Sequence, residues 1–153
     1  MERYQKIYKH PVYQKMLDNI KKAEQNRIFC LHGTEHCLDT ARIAYILALE
    51  EKLDIKKDII YAAALLHDIG RYGEKEHNIE SAEIAVKIMS ECGYSTEERN
   101  EVTNAIRLHR SENISGLAYV LSRADKLSRN CFECSAINEC YWPEEKLNRN
   151  ITY

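Results

Sequence analysis

Residues 65–71 read Leu-Leu-His-Asp-Ile-Gly-Arg and close an apolar helical run, IIYAAALL, that begins at Ile59. The run carries a histidine and an aspartate, His67 and Asp68, into apolar surroundings. An ionised carboxylate taken from water without a partner costs on the order of several kcal/mol. Something in the folded chain must offset that cost, and the rest of the sequence indicates what it is.

Outward from this stretch the apolar residues keep helical spacing, and no alternating segment long enough for a strand occurs. The spacing predicts helices over 11–25, 35–51, 56–68, 79–92, 96–109 and 115–130. Ser95 followed by Glu98 is a capping box ahead of the fifth, and Ser115 is an N-cap candidate for the sixth. Gly70 and Gly93 sit where helices should stop. Residues 131–153 differ: they are cysteine-rich, contain Trp142 and Pro143, and show little periodicity. The expected architecture is all-α, a single domain of about six helices over 1–130 with a short cysteine-rich tail, 131–153, packed on it.

The bulk numbers narrow the function classes. A chain of 153 residues with 44% hydrophobic content suits one compact domain. With 22 basic against 24 acidic residues, it has no general polyanion-binding character, and no extended nucleic-acid surface is evident. No apolar run approaches the roughly 18 residues of a membrane span. The N-terminal MERYQKIYKHPVYQKM lacks the apolar centre of a secretion signal, so a soluble cytoplasmic protein is expected. Its 6 cysteines then read as thiols or metal ligands rather than disulfides.

Placed on the predicted helices, several ionisable residues extend apolar stripes. His36 is followed by Thr40, Ile43, Ala44 and Leu47. His67 is preceded by Ile60, Ala63 and Ala64, and His109 by Val102, Ala105 and Ile106. Asp125 is preceded by Leu117 and Leu121. Each group therefore points inward from a different helix, and Asp68 borders the same interior as His67. Any one of these histidines could be a core residue satisfied by a backbone carbonyl. A shared divalent cation would satisfy all of them together, because its charge favours neutral imidazole and ionised carboxylate.

These residues, His36 in EHCLDTARIA, His67-Asp68 in ALLHDIGR and Asp125 in ADKLSR, resemble the HD-domain superfamily of metal-dependent phosphohydrolases. The resemblance spans about residues 30–130. It implies an all-α fold with the metal between helices, His36, His67, Asp68 and Asp125 as ligands, and hydrolysis of phosphate esters or anhydrides. His77 and His109 complete the pattern of the subfamilies that hold two metals, in which Asp68 would bridge the ions. A solvated His77 and a helix-end His109 held by the dipole are the structural alternative, which leaves one ion. The resemblance is closest to small stand-alone HD hydrolases, including the dinucleoside-tetraphosphatase group. Tyr72 stands where the nucleotidase branch carries an acid, and the Gly-Tyr-Pro signature of the cyclic di-GMP branch is absent.

Such a centre would take one or two divalent ions, with iron, manganese, zinc, nickel or cobalt all compatible. It would activate water against a small phosphorylated substrate, expected to be a nucleotide. Asp68 could also accept the water's proton, with Arg71 and Lys126 beside it as further catalytic candidates. Arg71, Lys75, Arg110 and Arg129 are the candidates for substrate phosphates, although Arg129 could instead pair with Asp125 four residues away. His32 is expected to be a loop residue without a role. Cys131, Cys134 and Cys140 form a candidate second site for zinc or an iron–sulfur centre, with Cys30, Cys37 or Cys92 as a fourth ligand. Reduced thiols packed under the tail are the alternative. A nucleotide-binding HD module without catalysis and a dinuclear-iron HD oxygenase are the rival functions.

Overall fold

The computed structural model describes residues 1–153. It is all-helical: α1 (Arg3–Lys9), α2 (Pro11–Ala23), α3 (Thr34–Glu50), α4 (Lys57–Leu66), α5 (His77–Glu91), α6 (Thr96–Leu108) and α7 (Gly116–Leu127). Three single 3-10 turns follow, at Cys131–Glu133, Ile137–Glu139 and Glu144–Lys146. No helix is long and apolar enough to cross a membrane.

Helix α4 is the centre of the fold. It packs against α1, α3, α5, α6 and α7, and Ile59, Ile60 and Ala62 through Leu66 are all buried. Beyond its first turn the helix is apolar on nearly every side and presents little face to solvent. Its three consecutive alanines let the neighbouring backbones approach closely. Helices α3 and α7 flank it on one side, and the α5–α6 pair encloses it on another.

The helix ends at Leu66, two residues before the expected boundary. His67 is the C-cap and a succession of turns follows. Gly70 belongs to those turns for a reason other than helix termination. A Cβ there would lie 2.5 Å from the Ser81 backbone nitrogen, and the Gly70 N–H donates to Ser81 Oγ at 2.9 Å. Glycine is needed so that the turn can seat against α5. Gly93, by contrast, is a helix stop, with φ +86. The Tyr94 N–H reaches Met89 O at 3.1 Å and the Gly93 N–H reaches Ser90 O at 3.4 Å, the paired bonds of a Schellman ending.

The Ser95–Glu98 capping box forms as expected. Ser115 occupies the N-cap of α7, but its side chain makes no capping bond. Helix α1 has no counterpart among the expected helices. It is seven residues long, and Ile7 is its one buried side chain, so it carries no apolar stripe. Arg3 fixes it instead, through Glu98 at 2.6 and 2.8 Å and Asp58 at 2.7 Å. The guanidinium also stacks 4.1 Å above the Tyr94 ring. Asp58 accepts from the Tyr4 N–H and the Tyr94 hydroxyl, both at 3.2 Å.

The tail lies along the end of α7. Asn148 donates from Nδ2 to Lys126 O at 2.7 Å and to Arg129 O at 2.8 Å, which ties the tail to the end of α7. Phe29, in the α2–α3 loop, meets Tyr141 edge-on with ring centroids 5.6 Å apart.

Gly70→Ala should lower unfolding free energy by about 1–3 kcal/mol, the usual cost of an inserted methyl in a packed site. Gly33→Ala, which has nothing within 4 Å of the added carbon, should change it little. Denaturant unfolding of both variants checks the contrast.

Candidate metal centre

Three elements bring four side chains to one buried point. The first turn of α3 supplies His36, the end of α4 supplies His67 and Asp68, and the last turn of α7 supplies Asp125. One ligand atom from each of these four residues lies within 4.8 Å of the others. His67 Nε2 is 3.3 Å from His36 Nε2, 3.3 Å from Asp68 Oδ2 and 3.5 Å from Asp125 Oδ1. His36 Nε2 is 3.2 Å from Asp125 Oδ1 and 3.6 Å from Asp68 Oδ2.

The outer nitrogens set the tautomers. His67 Nδ1 donates to Ala64 O at 2.7 Å, and His109 Nδ1 donates to Ile106 O at 2.6 Å. Ser128 Oγ donates to Asp125 O at 2.7 Å, so it accepts from His36 Nδ1 at 3.1 Å. In each ring the outer nitrogen carries a proton, which leaves Nε2 as the atom that faces the interior. Metal-ligating histidines are oriented in this way.

A second cluster shares Asp68. Its other oxygen, Oδ1, lies 3.4 Å from His77 Nε2, and Asp68, His77 and His109 form a second group within mutual reach of 4.8 Å. Asp68 Oδ1, His77 Nε2 and His109 Nε2 are buried and have no hydrogen-bond partner. Buried polar atoms without partners are rare. Here three of them converge on one point, and a cation would satisfy all three.

The protonation states suit that reading. Burial opposes charge on Asp68, but the neighbouring His67, His36 and His32 hold its carboxyl well below the usual range. Asp125 is held down in the same way by His36 and His67. Burial pushes His77 to about 4 and lowers His109 as well, so both rings are neutral. Burial also opposes charge on His67, but Asp68 and Asp125 outweigh it and raise its pKa well above the ordinary value. Without an ion, the carboxylates therefore hold a proton on His67 Nε2, and a metal would take that proton's place.

The HD-domain family model matches residues 33–130, the segment that contains all six of these histidines and aspartates. The chain belongs to the HD-domain family. HD domains bind divalent metals, and the family is one of metal-dependent phosphohydrolases. An "Uncharacterized protein" of Clostridium beijerinckii is 41% identical over 157 residues, spanning 100% of both chains. The "Putative phosphohydrolase YueE" of Bacillus subtilis is 30% identical over 142 residues, covering 79% of this chain and 73% of that one. Ribonuclease Y of Acetivibrio thermocellus is 32% identical over 95 residues, which are 61% of this chain but 17% of the ribonuclease. No solved structure matches.

The HD centre opens into a cavity of about 420 Å³. Arg71, Arg110, Lys126 and Arg129 all line it, beside Asp68, His109 and Asp125. Arg71 stands 3.7 Å from Asp68 Oδ1 and 4.0 Å from Glu24. Arg129 donates to Leu31 O rather than pairing with Asp125. Lys75 is not brought to the cavity. The turns after Gly70 carry it to the surface, where its half-exposed ammonium pairs with Glu83 on the outer face of α5. The thiols of Cys131, Cys134 and Cys140 lie beside a neighbouring cavity and do not form a ligand group at the 4.8 Å spacing of the two HD clusters.

His32 has a place at this site that its loop position did not suggest. Its backbone N–H donates to Glu24 Oε2 at 2.8 Å and its Nδ1 to Glu24 Oε1. Its Nε2 is left 4.0 Å from Asp68 Oδ2. The Tyr72 hydroxyl adds a third bond to Glu24 at 2.8 Å. Glu24 extends the buried stripe Tyr13, Leu17 and Ile20 of α2, the same pattern that marks Asp125 on α7. Arg27, Phe29, Tyr141, Trp142 and Lys146 also line the cavity, and no periodicity in the sequence marks them.

Two outcomes follow. Ser128→Ala should weaken metal affinity about 10-fold or more by freeing the His36 ring, measured by competition with a chromogenic chelator. Metal uptake should release the His67 proton. Affinity should therefore rise by about tenfold per pH unit up to the His67 pKa and level off above it. Calorimetric titration in buffers of different ionisation heats checks this.

Proposed function

We propose that the chain hydrolyses a phosphate ester or anhydride of a nucleotide at a two-metal centre. The observation that carries this is the division of Asp68, whose Oδ2 faces His36 and His67 while Oδ1 faces His77. A carboxylate shared in this way is suited to bridging two ions. His36, His67, Asp68 and Asp125 would hold one, and Asp68, His77 and His109 the other. Bound divalent ions would lower the pKa of a coordinated water and neutralise charge on the phosphate oxygens.

The chain's own groups supply the rest. Glu24 keeps the His32 proton on Nδ1, so His32 Nε2 is the acceptor facing the cavity. It is placed to take a proton from the attacking water or, once protonated, to give one to the leaving oxygen. Arg71 and Lys126 would bind the reacting phosphate, and Arg110 and Arg129 the phosphates beyond it. With Arg27 and Lys146, six cationic side chains line the cavity, more than the two site carboxylates there require. That surplus favours a substrate with more than one phosphate. Phe29, Tyr141 and Trp142 offer the aromatic surface a nucleobase would stack on. With all cysteines free, the chemistry suits the reducing cytoplasm.

The test is phosphate release from dinucleoside polyphosphates, nucleoside triphosphates and nucleoside monophosphates, with protein loaded anaerobically with manganese, iron or cobalt. Turnover is expected on the polyphosphates and should fall to background in Asp68→Asn. His32→Ala should lower kcat by about 10²-fold with metal content unchanged. Substrate-dependent oxygen uptake without phosphate release would instead make the centre oxidative. Tight nucleotide binding without turnover would make it a sensor.

A further inference from the structure

Four of the six cysteines lie around a cavity separate from the HD centre. Cys30 comes from the α2–α3 loop, and Cys131, Cys134 and Cys140 come from the tail, a hundred residues further along the chain. The cavity is about 240 Å³, and its other walls are largely apolar, with Phe29, Ile137 and Trp142 among them. Cys37 and Cys92, the other two thiols, are buried in the main core and do not line it.

The tail backbone explains why three thiols share one side. The Cys134 N–H reaches Cys131 O at 3.3 Å, the Ile137 N–H reaches Cys134 O at 3.3 Å and the Cys140 N–H reaches Ile137 O at 3.4 Å. Each bond closes an i to i+3 turn, and in such turns side chains three residues apart fall on the same side. Positions 131, 134, 137 and 140 therefore face one cavity, and three of the four are cysteine. The segment has little else to order it: its longest regular element is a single 3-10 turn. Short segments without a core of their own are commonly held by a metal or by disulfides, and no disulfide is present.

We propose that Cys30, Cys131, Cys134 and Cys140 bind a structural divalent ion as a tetrathiolate, with zinc as the expected metal. The Cys-x2-Cys spacing of Cys131 and Cys134 is the usual bite of such a site, and Cys30 supplies the fourth ligand that the tail lacks. Each thiol gives up its proton on binding, so the site carries two net negative charges. Arg129 lines the same cavity and offers a compensating positive charge. The thiols must draw together from their positions here to reach a common ion. Phe29, Cys30, Arg129, Cys140 and Trp142 line both cavities, so the ion would brace the wall of the HD pocket without joining its chemistry.

The test uses the whole chain, purified untagged under reducing conditions. A thiol-blocking mercurial with a metal-sensitive dye should release one equivalent of metal, distinct from ions held by histidine and aspartate. Cys30→Ser and Cys134→Ser should lose that equivalent, and Cys92→Ser should retain it. Cobalt-loaded wild-type protein should show the intense sulfur-to-cobalt absorption of a tetrathiolate, which does not depend on any variant folding. Iron in place of zinc, with the same variant pattern, would support the site and change only its occupant. No mercurial-released metal and no cobalt–thiolate band would overturn the proposal, as would a Cys131–Cys134 disulfide that forms in preference to metal uptake. Failure of the HD reading would show instead as absent metal at His67 and Asp68 with the thiolate ion retained.

Discussion

The Asp68 carboxylate is the constraint around which the rest of the molecule is arranged. Its side chain is 3% exposed, and its two oxygens face different sets of imidazoles. A charge so far from water is tolerable only where positive charge meets it. The apolar run of α4 from Ile59 carries the residue to that depth, and its alanines admit the helices that bring His36, His109 and Asp125 around it. Gly70 then lets the chain leave the centre of the fold along α5, which returns His77 to the other carboxylate oxygen. Core packing and site chemistry therefore meet in one tripeptide, Leu66-His67-Asp68.

The histidines themselves are held by ordinary backbone geometry. Two of the rings donate to the carbonyl three residues earlier in their own helix end, and the third leans on a serine that is itself fixed to the Asp125 carbonyl. None of these supports calls for an unusual residue. They follow from helices stopping at the right place, so that a late carbonyl, unpaired by its own helix, becomes the partner of an imidazole.

Much of this was legible in the sequence because it is periodic. An ionisable residue that extends an apolar stripe is conspicuous, and His36, His67, His109 and Asp125 announce themselves that way. Glu24 carries the same signature after Tyr13, Leu17 and Ile20, and with it comes the partner that gives His32 a place at the site. Helix α1 was not legible, because its anchor is Arg3 held by Asp58 and Glu98, residues far away in the chain. Lys75 shows the converse error: nearness in sequence to Asp68 means little once a turn intervenes. The cavity wall was out of reach for the same reason, since loop and tail residues meet there by tertiary contact alone.

That wall gives the molecule a division of labour. The residues that face each other across the metal centre all fall within 33–130, the stretch shared with the family. Arg27, Phe29, Tyr141, Trp142 and Lys146, which shape the mouth of the cavity, all fall outside it. They bear little of the core and none of the metal ligation. Substitutions there can alter what the pocket admits while leaving folding and ligation intact. Changes confined to the two segments that border the family domain can thus reshape the pocket while its metal centre stays as it is.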